Sequence, residues 1–187
     1  MDEKPETARE ARPVPRWLPG EPLPPYAFVA PHRPHPTKDP QGHSYGRDEA
    51  PEAPLDPARW RESKAFLRGI DLFNRGFYWE AHEAWEGLWH AAGREGPVAL
   101  LLKGLIKLAA AGVKVRQRMP DGVRLHCERA EAHFRGVAAA TGAPRVAGLD
   151  LDRLVERARE TARRADHLRG DGRREVEVVF DWTIDPE

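Results

Sequence analysis

Between Phe73 and Trp89, a histidine and a glutamate are spaced so that they point the same way from a helix, His82 and Glu86, with Trp89 following and Glu83 about 100° round from His82 toward solvent. Imidazole and carboxylate are ordinary ligands for zinc, iron, manganese and nickel. At about 100° per residue, His82, Glu86 and Trp89 stand at i, i+4 and i+7 and climb one edge of a helix. An apolar arc of Phe77, Tyr78, Ala81, Ala84, Trp85, Leu88 and Trp89 borders that edge, and Glu80, Glu83 and His90 fall opposite the arc. A margin between core and solvent is where a side chain is both held and reached.

Two ligands seldom hold a cation, and catalytic zinc commonly takes three protein ligands plus water. The spacing therefore asks for further donors: His35, His43 or Asp39 from the N-terminal stretch, His126 or His133 from a later helix, or a second copy of the chain. The run His82-Glu83-Ala84-Trp85-Glu86 is similar to the zincin pattern His-Glu-x-x-His with Glu in the last place, a scheme that makes Glu83 a general base. Against the metal stands a plainer reading. His82 hydrogen-bonded to Glu86 one turn on, and stacked on Trp85 or Trp89, would lock a helix pair with no cation at all.

The elements that must position these residues can be read from apolar periodicity and turn residues. Asp56-Pro57 marks a helix start, and Trp60, Phe66, Leu67, Ile70 and Phe73 form its stripe, stopped at Asn74-Arg75-Gly76. The motif helix follows from about Phe77 to Ala92, in a short-turned hairpin with the first. Pro97 opens a third helix reaching about Met119, whose Lys103, Lys107, Lys114 and Arg118 lie near one face. Such a ridge reads either as a solvated face or as a seat for phosphorylated ligands. A fourth helix follows Pro120-Asp121-Gly122, with Val123, Cys127, Ala130, Phe134 and Val137 inward and His126 and His133 flanking them. These histidines either face His82 or are satisfied by Glu128 and Glu131. A fifth runs from about Asp150 to Leu168, and Val176, Val178 and Phe180 then alternate as a short strand or an extended tail.

Upstream, residues 1–54 hold 13 of the 18 prolines, which excludes helix or central strand there. Trp17, Leu18, Leu23, Tyr26, Phe28 and Val29 supply apolar anchors, so an extended arm wrapping the helices is expected, with Met1 to about Pro13 disordered. His32, His35 and His43 lie within it and read either as polar spacers or, for His35 and His43, as metal ligands brought to the ladder. Gly42-His43-Ser44-Tyr45-Gly46 spells a nucleophile-elbow pattern, but proline-rich flanks provide neither the entering strand nor the leaving helix that this chemistry needs.

The whole composition fits one all-α unit, a compact bundle of about five helices (55–170) with the proline-rich arm before it and an extended tail (171–187) after it. Thirty basic against 30 acidic side chains give no net charge, so neither nucleic acid nor membrane is expected as a partner, whereas self-association stays open. A single cysteine, Cys127, and the absence of a basic-then-apolar leader point to a reducing cytoplasm.

The pattern Phe73-Asn74-x-Gly76-x-Tyr78-x-Glu80-x-His82-Glu83-x-x-Glu86-x-x-Trp89 resembles the signature of a bacterial and archaeal family, the domain of unknown function 309. The likeness continues through Leu102–Ala110 and Gly122 to Leu125, although the family commonly has Gln where this chain has Lys107. The resemblance implies that His82, Glu86 and Trp89 are the His-x-x-x-Glu-x-x-Trp motif suggested to bind a divalent metal, with Tyr78 and Trp85 as accompanying aromatics. It further implies the label of a metal-dependent hydrolase of unknown substrate. The alternative is a non-catalytic interaction module that presents the aromatics around Trp79, Trp85 and Trp89 to a partner.

Overall fold

A computed structural model describes residues 15–47 and 51–187, so the disorder expected for Met1 to about Pro13 lies outside the described residues. Helices α1 (Lys64–Asn74), α2 (Tyr78–Ala91), α3 (Gly96–Arg116), α4 (Pro120–Thr141) and α5 (Leu151–Arg163) build an all-α bundle in which each packs on the next, except that α5 reaches α4 across a small hairpin. Helix α3 lies between α2 and α4, and Leu101, Leu102, Leu105 and Leu108 bury their side chains completely there.

Local chemistry sets the ends. The first helix begins at Lys64 and not at Asp56-Pro57, because Ser63 is extended and its hydroxyl accepts the Phe66 N–H. Asp56 instead closes a turn, accepting the Ala58 N–H and the Arg59 Nε at 2.9 Å, and a single 3-10 turn (Trp60–Glu62) bridges the gap. Between α1 and α2 the chain reverses through Gly76 at φ +84°, which a side chain would strain and the Glu177 carbonyl would obstruct. Helix α3 stops at Arg116, three residues short of the expected end, because Arg118 turns into the left-handed region at φ +57°. Pro120 then sits at the start of α4, where its missing N–H costs nothing. Helix α5 ends at Arg163 and not Leu168. A two-residue antiparallel ladder before it pairs Arg145–Val146 with Leu149–Asp150, a hairpin too short for apolar alternation to announce.

Residues 15–47 contain turns and extended segments but neither helix nor strand, and they are fastened to the bundle by two buried carboxylates. Asp71 of α1, fully buried, accepts the Trp17 and Leu18 N–H groups at 2.9 Å each, with Arg16 at 3.7 Å. Glu80 of α2, 7% exposed, accepts the Phe28 N–H at 2.9 Å and the His43 Nε2 at 3.2 Å. Periodicity puts Glu80 on the outer face of α2; it is buried because the arm lies over that face.

Residues 176–180 form no strand. The tail is a packed strap: Phe180 and Trp182 stack on each other at 5.1 Å, Phe180 stacks on Phe73 at 5.6 Å, and Trp182 lies tilted against Phe73 at 5.5 Å. Asn74 holds it in register, donating to the Ile184 carbonyl at 2.7 Å and accepting the Ile184 N–H at 2.8 Å. Arm and tail meet where the Ala27 N–H donates to the Glu175 carbonyl at 2.8 Å.

Candidate metal centre

Helix α2 carries the centre, and its rotation is fixed by the side chains on its inner face. Trp85 is fully buried and donates from Nε1 to the Phe66 carbonyl of α1 at 3.3 Å. Tyr78, also in the core, accepts the Val179 N–H on its hydroxyl at 2.9 Å, and burial raises that hydroxyl well above the usual tyrosine range. Tyr78 and Trp85 are therefore core residues that aim the helix.

With α2 so held, His82, Glu83 and Glu86 offer one ligand atom each, all within 4.8 Å of one another. His82 Nδ1 lies 3.2 Å from Glu83 Oε1 and 3.9 Å from Glu86 Oε2. A cation bound at about 2.0–2.2 Å in tetrahedral geometry sets its ligands about 3.4 Å apart, so this triangle fits a metal after small side-chain adjustment. Side-chain exposures of 27%, 39% and 40% leave the group open to solvent. Glu83 joins the group even though its backbone position is rotated from that of His82, because a glutamate side chain is long enough to reach its neighbour.

The two arm histidines are placed elsewhere. His35 packs edge-on against Phe28 and Trp79, at 4.9 and 5.3 Å between ring centres. His43 is nearly buried, donating to Glu80 and accepting the Ser44 hydroxyl at Nδ1 at 2.9 Å. Ser44 sits in a series of turns, its N–H donating to the Pro36 carbonyl, without the strand and helix that strain a nucleophile elbow. Among the described residues, the cluster of possible ligands contains neither arm histidine.

Trp89, one turn beyond Glu86, is partly buried and flanked by cations, with Lys103 Nζ 5.0 Å and Arg94 Cζ 5.3 Å from its ring. Lys103 and Lys107 are half-buried, so the α3 ridge is not a freely solvated face. Burial and the neighbouring Arg129 and Lys103 hold the Lys107 ammonium below its usual range, opposed by Glu86. From α4, His126 comes near enough to feel the charge of His82; burial first, then Lys107, Lys114 and Arg129, push its imidazole down to about 4. Neither His126 nor His133 is hydrogen-bonded to Glu131, whose Oε1 accepts from Arg135 at 2.9 Å and from Arg159 at 2.8 Å. The sequence signal for these contacts was present in the seven-residue repeat of His126 and His133 beside the Lys103/Lys107 ridge, but only the packing of α3 between α2 and α4 joins them.

Of the aromatics expected around the motif, Trp85 is in the core, whereas Trp79, packed against Phe28 and His35, and Trp89 are partly exposed. Cys127 is buried and its thiol pushed up to about 12, which makes it a small apolar side chain and not a nucleophile. No described helix is long and apolar enough to cross a membrane.

No curated protein matches the chain. Residues 66–125, about a third of the chain and the part that contains His82, Glu83, Glu86 and Trp89, match the family model described as Domain of unknown function (DUF309).

Proposed function

We propose that His82, Glu83 and Glu86 bind one divalent transition metal and that the centre serves a hydrolytic reaction. The observation that carries this reading is the convergence of three donors on one open turn of a helix whose rotation is fixed by buried Tyr78 and Trp85. Three protein donors leave further coordination positions free, as catalytic sites do and closed structural sites do not. A cation there supplies Lewis acidity when bound. The chain itself supplies the rest: His82 and Glu86 as the first two donors and Glu83 as the third. Glu83 is assigned this role and not that of general base because its carboxylate lies on the His82 imidazole.

Metal content measured by elemental analysis on the untagged chain, alongside His82→Ala and Glu86→Ala, tests the proposal. Near-stoichiometric metal that either substitution lowers at least about tenfold, with helical content unchanged, is the expected outcome. A chain that cannot be loaded with zinc, manganese, iron or nickel sinks it.

A further inference from the structure

Most arginines of this protein have partners. Arg59, Arg124, Arg135, Arg159 and Arg164 are paired with carboxylates at 2.6–2.9 Å, and Arg116 and Arg118 donate to backbone carbonyls. Along the strip where α3 lies between α2 and α4, several partly buried or adjoining cations have no such partner. Lys107 and Arg129 make no hydrogen bond or ion pair among the described residues, and Lys103 has only its contact with Trp89. His126 and His133 lie on the length of α4 that runs against these lysines, where Gly122 backs onto Lys114 and Phe134 onto Gly104 of α3. Two polar nitrogens along the strip, His126 Nδ1 and Trp89 Nε1, are shielded from solvent and have no partner among the described residues. The nearby acids are occupied, since Glu86 faces His82 and Glu131 is held by two arginines.

Lys103 and Lys107 are partly buried near exposed Arg129, with Glu86 opposing them only in part; like charges so placed repel one another and lose hydration, a cost that an anion removes. A carboxylate offers only two acceptor oxygens. A phosphate group, with several acceptor oxygens directed apart, can take donors from both helices.

We propose that this strip is the seat of a phosphate-bearing small molecule, with the phosphate held by Lys103, Lys107 and Arg129 beside the His82–Glu83–Glu86 centre. As an anion site the strip stands by itself. Its role as the substrate-binding part of the centre, which makes the substrate class a phosphate ester, rests on the metal reading above.

Inorganic phosphate titrated into the full chain by calorimetry, first stripped of metal with a chelator and then loaded with zinc, tests both parts separately. Saturable binding by the metal-free chain is expected, weakened at least about tenfold by Lys107→Ala and by Arg129→Ala and unchanged by Arg153→Ala on α5. Arg129 is exposed, so its variant reports on the strip even where Lys107→Ala fails to fold. The absence of saturable binding, or binding that neither substitution weakens, overturns the proposal. A chain that takes zinc at His82 but no phosphate removes the strip and leaves the metal reading, whereas phosphate binding without any metal loading does the reverse. An oligonucleotide that binds more tightly than phosphate, with steep salt dependence, overturns the assignment to a small ligand.

Discussion

His82 Nδ1 faces two carboxylates on its own helix, whereas His126 Nδ1 across the bundle has no hydrogen-bond partner among the described residues. His126 stays neutral in the folded chain down to about pH 4, whereas the same imidazole in the unfolded chain takes a proton near 6.5. Between those values the unfolded state binds more protons, so the stability associated with this ring is complete above about pH 6.5 and is lost as pH falls toward 4. The charged groups that bear on it are Lys107, Lys114, Arg129 and His82. His126→Gln should flatten this part of the profile, so urea midpoints of variant and parent should differ less at pH 5 than at pH 7; an equal difference at both would refute it. At this scale the sequence made His82 and Glu86 legible, because i, i+4 spacing is a property of any helix. It left Glu83 ambiguous and Glu80 misplaced, since the first depends on side-chain reach and the second on a segment more than 50 residues away in the chain.

Helix α1 approaches α2 closely at Gly69, where an added Cβ would run into the Trp85 indole nitrogen. Alanine is otherwise the better helix former by about 1 kcal/mol, so the sign of Gly69→Ala separates packing from propensity. Packing should win: the substitution should destabilise by about 1–3 kcal/mol in denaturant unfolding and, by displacing Trp85, reduce metal uptake at His82. Improved stability would show that the two helices can separate freely. Helix existence was legible throughout, from the prolines at α3 and α4 and from Gly142, which caps α4 at φ +64°. The start of α1 was not, because Asp56-Pro57 and Ser63 both offer capping chemistry and only the packing of Trp60 against Phe66 and Trp17 chooses between them.

Around the bundle, arm and tail meet at Ala27 and Glu175, and Asp71 and Glu80 hold the arm to the helices, Asp71 at its first described residues. Replacing the Asp71 carboxylate by alanine leaves the Trp17 and Leu18 N–H groups without their acceptor, a loss of about 3 kcal/mol. Asp71→Ala should lower the denaturant midpoint and expose residues 15–30 to protease while α2 to α5 keep their helical signal. Unchanged cleavage would mean that the arm is fastened elsewhere. The apolar anchors of the arm could be read from composition, but its fasteners could not, because Asp71 and Glu80 look in sequence like ordinary helix-surface acids. Arg116 ties the two covers together, donating to the Arg174 carbonyl at 2.6 Å and to the Ala27 carbonyl at 3.5 Å. During synthesis the arm leaves the ribosome before the helices it binds, yet the Glu175 carbonyl it pairs with comes near the end of the chain. The arm can dock on Asp71 and Glu80 once α1 and α2 are made, but the Ala27–Glu175 bond must wait until the whole bundle has been translated. The contact that joins arm to tail thus becomes possible only after those that hold the arm to α1 and α2.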